Sequence, residues 1–369
     1  MPIAFTLSGG LDSSSLVKSA LNSGMNNYKS FSLQTNSNDD NYEKSIIDNF
    51  ISENSLNHSF IKVNDFYNDN ILENLISFQD EPMGDVSFVN QFLLRKKIHE
   101  DGYKVLIIGE GGDELLAGYN RMFIPFLYNV YLKNNKNIPE KIKNNIALNL
   151  GNKFSLIEKK LHNYSNILTK NNDIEDLEVF NFLEVKEHQI PSNLKFYNNT
   201  NPNKENSFKK FLCSHLFKRD LPHILRLEDR ISMSQSIENR TPFVDYKFME
   251  YVFSIDEEFF MKDGLSKYML RNMMSQNLPK NYFKKKKIGR PGDSKTVIFE
   301  FYYEKFCDYL LNHTNKNIYF DTDKILHNLS NDKKNKDYRF NNNIYFRILN
   351  YLIWKNQFEN FNKGNTQLI

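Results

Sequence analysis

Near the head of the chain the apolar run Ile3–Leu7 breaks into Ser8-Gly9-Gly10, and from Ser13 to Leu21 the composition is that of a helix. An apolar run, a glycine break and helix formers in succession predict strand, turn and helix. The alternation then repeats. Lys29–Thr35 reads as a second strand, Ile46, Ile47, Phe50 and Ile51 mark a second helix, and His58–Val63 reads as a third strand. A helical pattern from Phe88 to His99 leads into Val105–Ile108, a buried strand that ends in the tight turn Gly109–Gly112. This alternation predicts an α/β fold, a parallel sheet with helices on both faces. In such sheets ligands bind beyond the carboxyl ends of the strands, where strand order reverses. The two glycine-rich turns are therefore candidate walls of one site.

Beyond residue 120 the pattern changes. Arg121–Asp220 is rich in Lys, Asn and Leu with few glycines, and reads as a helical insertion. The expected organisation is one domain: an α/β core over 1–120, the insertion over 121–220, a helical segment completing the site over 221–295, and a variable helical region over 296–369. In that last region Ile344, Leu349, Leu352 and Ile353 share one helical face. Composition adds limits rather than direction. With 369 residues, 40% hydrophobic and 14% aromatic, the chain can bury real cores. Its 48 basic residues nearly balance 45 acidic ones, which predicts no nucleic-acid or membrane partner. Cys213 and Cys307 form no Cys-x-x-Cys pair, which argues against a disulfide framework or thiolate zinc site, and His58, His99, His188, His215 and His223 lack metal-ligand spacing. No apolar stretch reaches spanning length, and the N-terminus lacks signal-peptide regions, so the expected location is the cytoplasm.

Chemistry concentrates in two turns. A helix beginning after Gly10 presents unpaired amides and the positive end of its dipole, to which Ser8, Ser13 and Ser14 add hydroxyls, so Ser8–Ser14 can bind an anion. Asp12 would repel a phosphate unless a cation lies between them, and magnesium takes carboxylate and phosphate oxygens together. In the second turn, Gly109-Glu110-Gly111-Gly112-Asp113-Glu114, Asp113 could add a second carboxylate to that metal. Each turn also has a bland reading, a flexible turn before a capped helix and an ordinary acidic surface turn. Neither matches the Gly-x-x-x-x-Gly-Lys-Ser/Thr loop or the Gly-x-Gly-x-x-Gly dinucleotide turn.

The stretch SGGLDSS does match the SGGxDS signature of the ATP pyrophosphatases. Together "LSGGLDSSSL", "QDEPMGDVS", "GEGGDELLAGY", "LEDRISMSQSIENRTPFVD" and "GLSKYMLR" resemble, in order, the synthetase domain of the class B, glutamine-dependent asparagine synthetases. "LNYLIWKNQF" is similar to that family's last helix. The resemblance implies an adenine nucleotide alpha hydrolase-like (HUP-type) sheet that uses ATP and Mg²⁺. Leu7, Ser8, Gly9, Gly10, Asp12, Ser13 and Ser14 would hold the pyrophosphate end of ATP, and Leu33 and Gly109 the adenosine. Asp12 and Asp113 would bind the metal, Glu110 would lie beside the acyl-adenylate, and Lys267 would face the phosphates. Without the resemblance, Lys267 and Arg271 read as solvated cations on a helix with Leu265, Met269, Leu270 and Met273 on its apolar side. Arg230, Glu238, Arg240 and Asp245 read as a structural ion-pair network, and Asp80-Glu81-Pro82 matches the family without a derived role.

The implied reaction converts ATP and aspartate into β-aspartyl-AMP and pyrophosphate, then with ammonia into asparagine and AMP. Two alternatives stand beside it: the same chemistry on another carboxylate, such as a sugar acid or a peptide, and a non-catalytic nucleotide-binding partner subunit. Expected partners are a small-molecule carboxylate and an ammonia donor, which could be a separate glutaminase, with a homodimer as a candidate assembly. The family's N-terminal glutaminase domain is expected to be absent, since Pro2 stands where its cysteine nucleophile would be. Two further departures are Ile108, in place of a small polar residue, and Lys287–Pro291, where relatives commonly place an aromatic residue after the glycine.

Overall fold

The four runs read as strands become β1 (Ile3–Thr6), β2 (Tyr28–Gln34), β3 (His58–Lys62) and β4 (Val105–Ile107), and the polar β5 (Glu238–Arg240) joins them in one parallel sheet. Their order in space is β3-β2-β1-β4-β5, with every neighbouring pair parallel. The computed structural model describes residues 2–34, 38–62, 70–134, 137–150, 207–279, 281–284, 293–313, 321–335 and 344–365. Most of the expected insertion, His188 and the segment Lys287–Pro291 lie outside them.

Helices fill the gaps in chain order: α1 (Leu11–Asn22), α2 (Asn38–Asn54), α3 (Ile71–Ser77), α4 (Ser87–Glu100) and α5 (Gly112–Leu116). Then follow α6 (Phe123–Lys133), α7 (Glu140–Leu150), α8 (Ser207–Phe217), α9 (Asp220–Met233) and α10 (Tyr246–Ser254). A small antiparallel hairpin of β6 (Met261–Lys262) and β7 (Leu265–Ser266) precedes α11 (Tyr268–Met274) and α12 (Asn281–Lys284). The chain continues with α13 (Asp293–His313), α14 (Thr322–Asn335) and α15 (Ile344–Asn365). Among these described helices none is long and apolar enough to cross a membrane.

Strand periodicity sorts the core. Phe5 and Leu7 of the β1 segment face a cluster with Val17, Phe50 and Leu115, while Ala4 faces the other side with Phe31, Leu94, Leu106 and Ile108. A third apolar cluster joins α3, α4 and α9 to α13, α14 and α15, and includes Ile348, Leu349, Leu352 and Ile353 of the last helix. Between α4 and α9 lies a buried ion pair, Arg95 with Glu228. Arg95 also donates to Ser232 Oγ at 2.8 Å and to Gln91 O at 3.2 Å, so its fork is held on several sides.

The expected ion-pair network of Arg230, Glu238, Arg240 and Asp245 is not one network. Arg230 pairs with Asp80, Arg240 pairs with its strand neighbour Glu238 at 2.6 Å, and Asp245 caps α10 by accepting from Lys247 N and Phe248 N, each at 3.1 Å. These groups lie on successive elements, α9, β5 and the start of α10, and take separate partners. Asp80 and Glu81 thereby gain a physical role, since Glu81 accepts Arg226 as Asp80 accepts Arg230, tying the segment before α4 to α9.

Candidate active site

Strand order reverses between β1 and β4, and both glycine-rich turns leave the sheet there. The first turn closes on itself. Ser8 N–H donates to Ser13 Oγ at 3.1 Å, the two hydroxyls lie 3.0 Å apart, and Gly10 N–H reaches Ser8 Oγ at 3.4 Å. Gly10 precedes the twelve-residue α1 with an extended backbone and no side-chain cap, so the helix start keeps its amides for an anion. Of the three serines only Ser8 is exposed; Ser13 and Ser14 turn inward because their positions on α1 face the core. Leu7 is likewise fully buried, which leaves its backbone as the group that can meet a ligand. Leu33, half-buried near the carboxyl end of β2, pairs in register with Ile61 of β3.

The second turn packs directly on the first. A methyl group on Gly112 would stand 2.9 Å from Asp12 Cγ, and one on Gly109 3.3 Å from Asp12 Cβ. Gly111 has φ +87°, in the left-handed region, and a methyl there would meet Val244 Cγ1 at 2.3 Å. These contacts bring Asp113, in the first turn of α5, opposite Asp12, in the first turn of α1. Glu110 lies half-buried between Gly109 and Gly111 of the same turn.

Lys267 completes the arrangement, in a position its sequence pattern does not suggest. It precedes α11 with φ +54°, 7% exposed, and its ammonium pairs with both Asp12 and Asp113, the latter at 2.5 Å. Burial opposes its charge, but the two carboxylates outweigh burial and hold the ammonium well above the ordinary lysine range. Met273, expected on the helix's apolar side, is 58% exposed, because the helix begins only after Lys267 and its buried face is Leu270 and Met274. Arg271 is also drawn in: Nε donates to Ser266 O at 2.7 Å and an Nη to Phe283 O at 3.1 Å, bracing the backbone ahead of Lys267.

Three residues the sequence reading did not single out support the acidic turn. Tyr119 OH donates to Glu114 Oε1 at 2.6 Å, and both are buried deeply enough that desolvation raises their pKa values. Arg121 stacks 4.3 Å over the Tyr119 ring and pairs with Asp220, which also accepts from His215. Gly118 closes the turn through an N–H bond to Asp113 O at 2.8 Å. Only the Ala-Gly-Tyr following the acidic turn could have signalled them, through the close approach a glycine permits.

Two carboxylates converging on one cation are a donor set suited to magnesium, whose remaining positions waters and phosphates supply. Among the described residues no group of three or more His, Cys, Asp or Glu could hold a metal ion by itself. The asparagine synthase family model matches residues 1–355, which spans the sheet, both turns and Lys267.

The chain belongs to the asparagine synthase family.

Its similarity to curated relatives is modest. It is 25% identical over 236 residues to "Asparagine synthetase [glutamine-hydrolyzing] 1" of Bacillus subtilis, covering 60% of this chain and 36% of that protein. It is 24% identical over 285 residues to "Amidase chyE" of Penicillium rubens, covering 68% of this chain and 42% of that protein. A shorter match of 37% over 71 residues, 19% of this chain and 12% of the relative, links it to "Asparagine synthetase [glutamine-hydrolyzing] 3" of B. subtilis. Each match spans well under half of the relative's length.

In this asparagine synthase-family chain, a methyl group at Gly118 would fall 1.8 Å from Asp113 Oδ1 and 2.2 Å from Lys267 Cε. Gly118→Ala is therefore expected to lower stability by about 1–3 kcal/mol through overpacking. Thermal unfolding measures the effect, and an unchanged midpoint would show that the turn yields freely.

Proposed function

We propose that this chain is an ATP-dependent amide-forming ligase that adenylates the side-chain carboxylate of aspartate and passes the acyl group to ammonia. The observation that carries this reading is the convergence of Asp12, Asp113 and Lys267 beside an uncapped helix start, where the sheet's strand order reverses. Family membership supports the class of chemistry.

In the first step a carboxylate oxygen attacks the α-phosphorus of ATP, an acyl–oxygen–phosphorus bond forms, and pyrophosphate leaves with the electrons of the bond broken. The Ser8–Ser14 turn orients the polyphosphate with backbone amides and the dipole of α1. Lys267 places positive charge where negative charge builds on the phosphates, a contribution largest in a water-poor site. Magnesium, held by Asp12 and Asp113 with phosphate oxygens, would neutralise the polyphosphate charge. In the second step ammonia attacks the acyl carbon, Glu110 takes one of its protons, and AMP departs. Leu33 and Gly109 border the adenosine in this reading. The ammonia is free or delivered by a glutaminase.

Ile108 favours a second reading, the same chemistry on another carboxylate. It is buried among Ala4, Phe31 and Leu106 and offers no polar group just ahead of the acidic turn.

The test is incubation of the purified chain with ATP, magnesium, aspartate and ammonium, with pyrophosphate, AMP and asparagine measured. The expected result is pyrophosphate release that requires aspartate and matches asparagine one for one. Silence with aspartate, together with ATP binding and turnover on another carboxylate in a screen, would establish the second reading.

A further inference from the structure

The pair Asp12 and Asp113 serves two cations in the reading above, and the geometry does not accommodate both. Lys267 pairs with both carboxylates at once, at 2.5 Å from Asp113, and its side chain is 8% exposed beside carboxylates that are 19% and 20% exposed. A magnesium ion on the same oxygens would lie about 2.0–2.1 Å from them, which puts it in contact with the ammonium. Two like charges at contact in a half-buried cleft repel strongly. The lysine stem has no room behind it, because Gly118 approaches so closely that even a methyl group would stand 2.2 Å from Lys267 Cε. Its backbone is held as well, by the left-handed conformation at Lys267 and by Arg271 on Ser266 O. The anion-binding turn Ser8–Gly10 ends two positions before Asp12, so a polyphosphate bound there is the group that can take the ammonium.

We infer that Lys267 and a divalent cation compete for Asp12 and Asp113, so that the metal enters only with a polyphosphate that receives the lysine. Lys267 is then an internal counter-ion that ties metal binding to nucleotide binding. This inference rests on Asp12 and Asp113 being the metal ligands of the proposed ligase.

The experiment compares thermal unfolding of the wild-type chain and Lys267→Gln with magnesium alone, pyrophosphate alone, and the two together. For the wild type, magnesium alone should leave the midpoint unmoved and magnesium with pyrophosphate should raise it. For Lys267→Gln, magnesium alone should raise the midpoint by about 3 °C or more. An equal response of both proteins to magnesium alone, or no response of Lys267→Gln, overturns the competition. If Lys267→Gln is unfolded without metal, refolding on addition of magnesium supports the inference and failure to refold overturns it. Loss of the ligase reading shows separately: the wild type would then fail to respond to magnesium with either pyrophosphate or ATP, whatever the contrast with magnesium alone.

Discussion

Lys267→Ala is expected to lower the turnover for pyrophosphate release by about 10²–10³-fold, the scale seen when a preorganised donor to developing charge is removed. The side chain cannot be replaced by solvent, because it is buried against Asp12 and Asp113 and its stem abuts Gly118. A structural role alone would lower stability and leave the turnover of the folded fraction intact. Activity measured well below the unfolding midpoint separates the two, and Lys267→Arg should recover part of the rate where Lys267→Met recovers none. Wild-type turnover in Lys267→Ala would remove Lys267 from the chemistry, whichever carboxylate is used.

The largest expected loss of stability lies away from the site. Glu228→Ala leaves Arg95 charged and buried, with Ser232 and Gln91 as neutral partners that cannot compensate a full charge. Breaking one side of a buried pair costs about 3–5 kcal/mol, against a total stability of about 5–15 kcal/mol for a domain. The main-chain oxygen of residue 228, which alanine retains, accepts from Asn239 Nδ2 at 3.2 Å and keeps its link from α9 to β5, so the loss reports the side-chain pair. Denaturant unfolding measures the loss. The double replacement Arg95→Met with Glu228→Leu should recover most of it, because apolar side chains of similar volume avoid the desolvation penalty altogether. A double variant as unstable as Glu228→Ala would mean that the charges themselves, and not their pairing, hold α4 to α9.

Much of this architecture could be read from the chain. The strands β1 to β4 are apolar runs between turn residues, and their alternation with helices predicts the parallel sheet. What escaped was written in polar residues. Glu238-Asn239-Arg240 carries no strand signature, yet it pairs with β4 because β4 supplies the ladder and Ile237 beside it supplies the burial. The hairpin of β6 and β7 has two residues per strand, too few for any periodicity to register. Without the family resemblance Lys267 reads as a solvated cation, for a related reason. The spacing of Leu265, Met269, Leu270 and Met273 suggests a continuous helix, but the left-handed conformation at Lys267 breaks that register and sends its side chain inward. Position twelve was legible as a charge in a glycine-rich turn; its pairing with Lys267, 255 positions later, was not, because only the fold brings them together.

That separation also orders how the molecule is made. β1 is synthesised first among the strands yet sits at the centre of the sheet, and its neighbour β4 and the edge strand β5 come much later in the chain. Long-range pairings of this kind are slow to form. At ribosomal speeds of about 5–20 residues per second, Asp12 emerges on the order of ten to fifty seconds before Lys267. Asp113 emerges within that interval, so the nascent chain comes to carry both acidic turns before the cation that neutralises them, and the cleft cannot close until Lys267 has emerged.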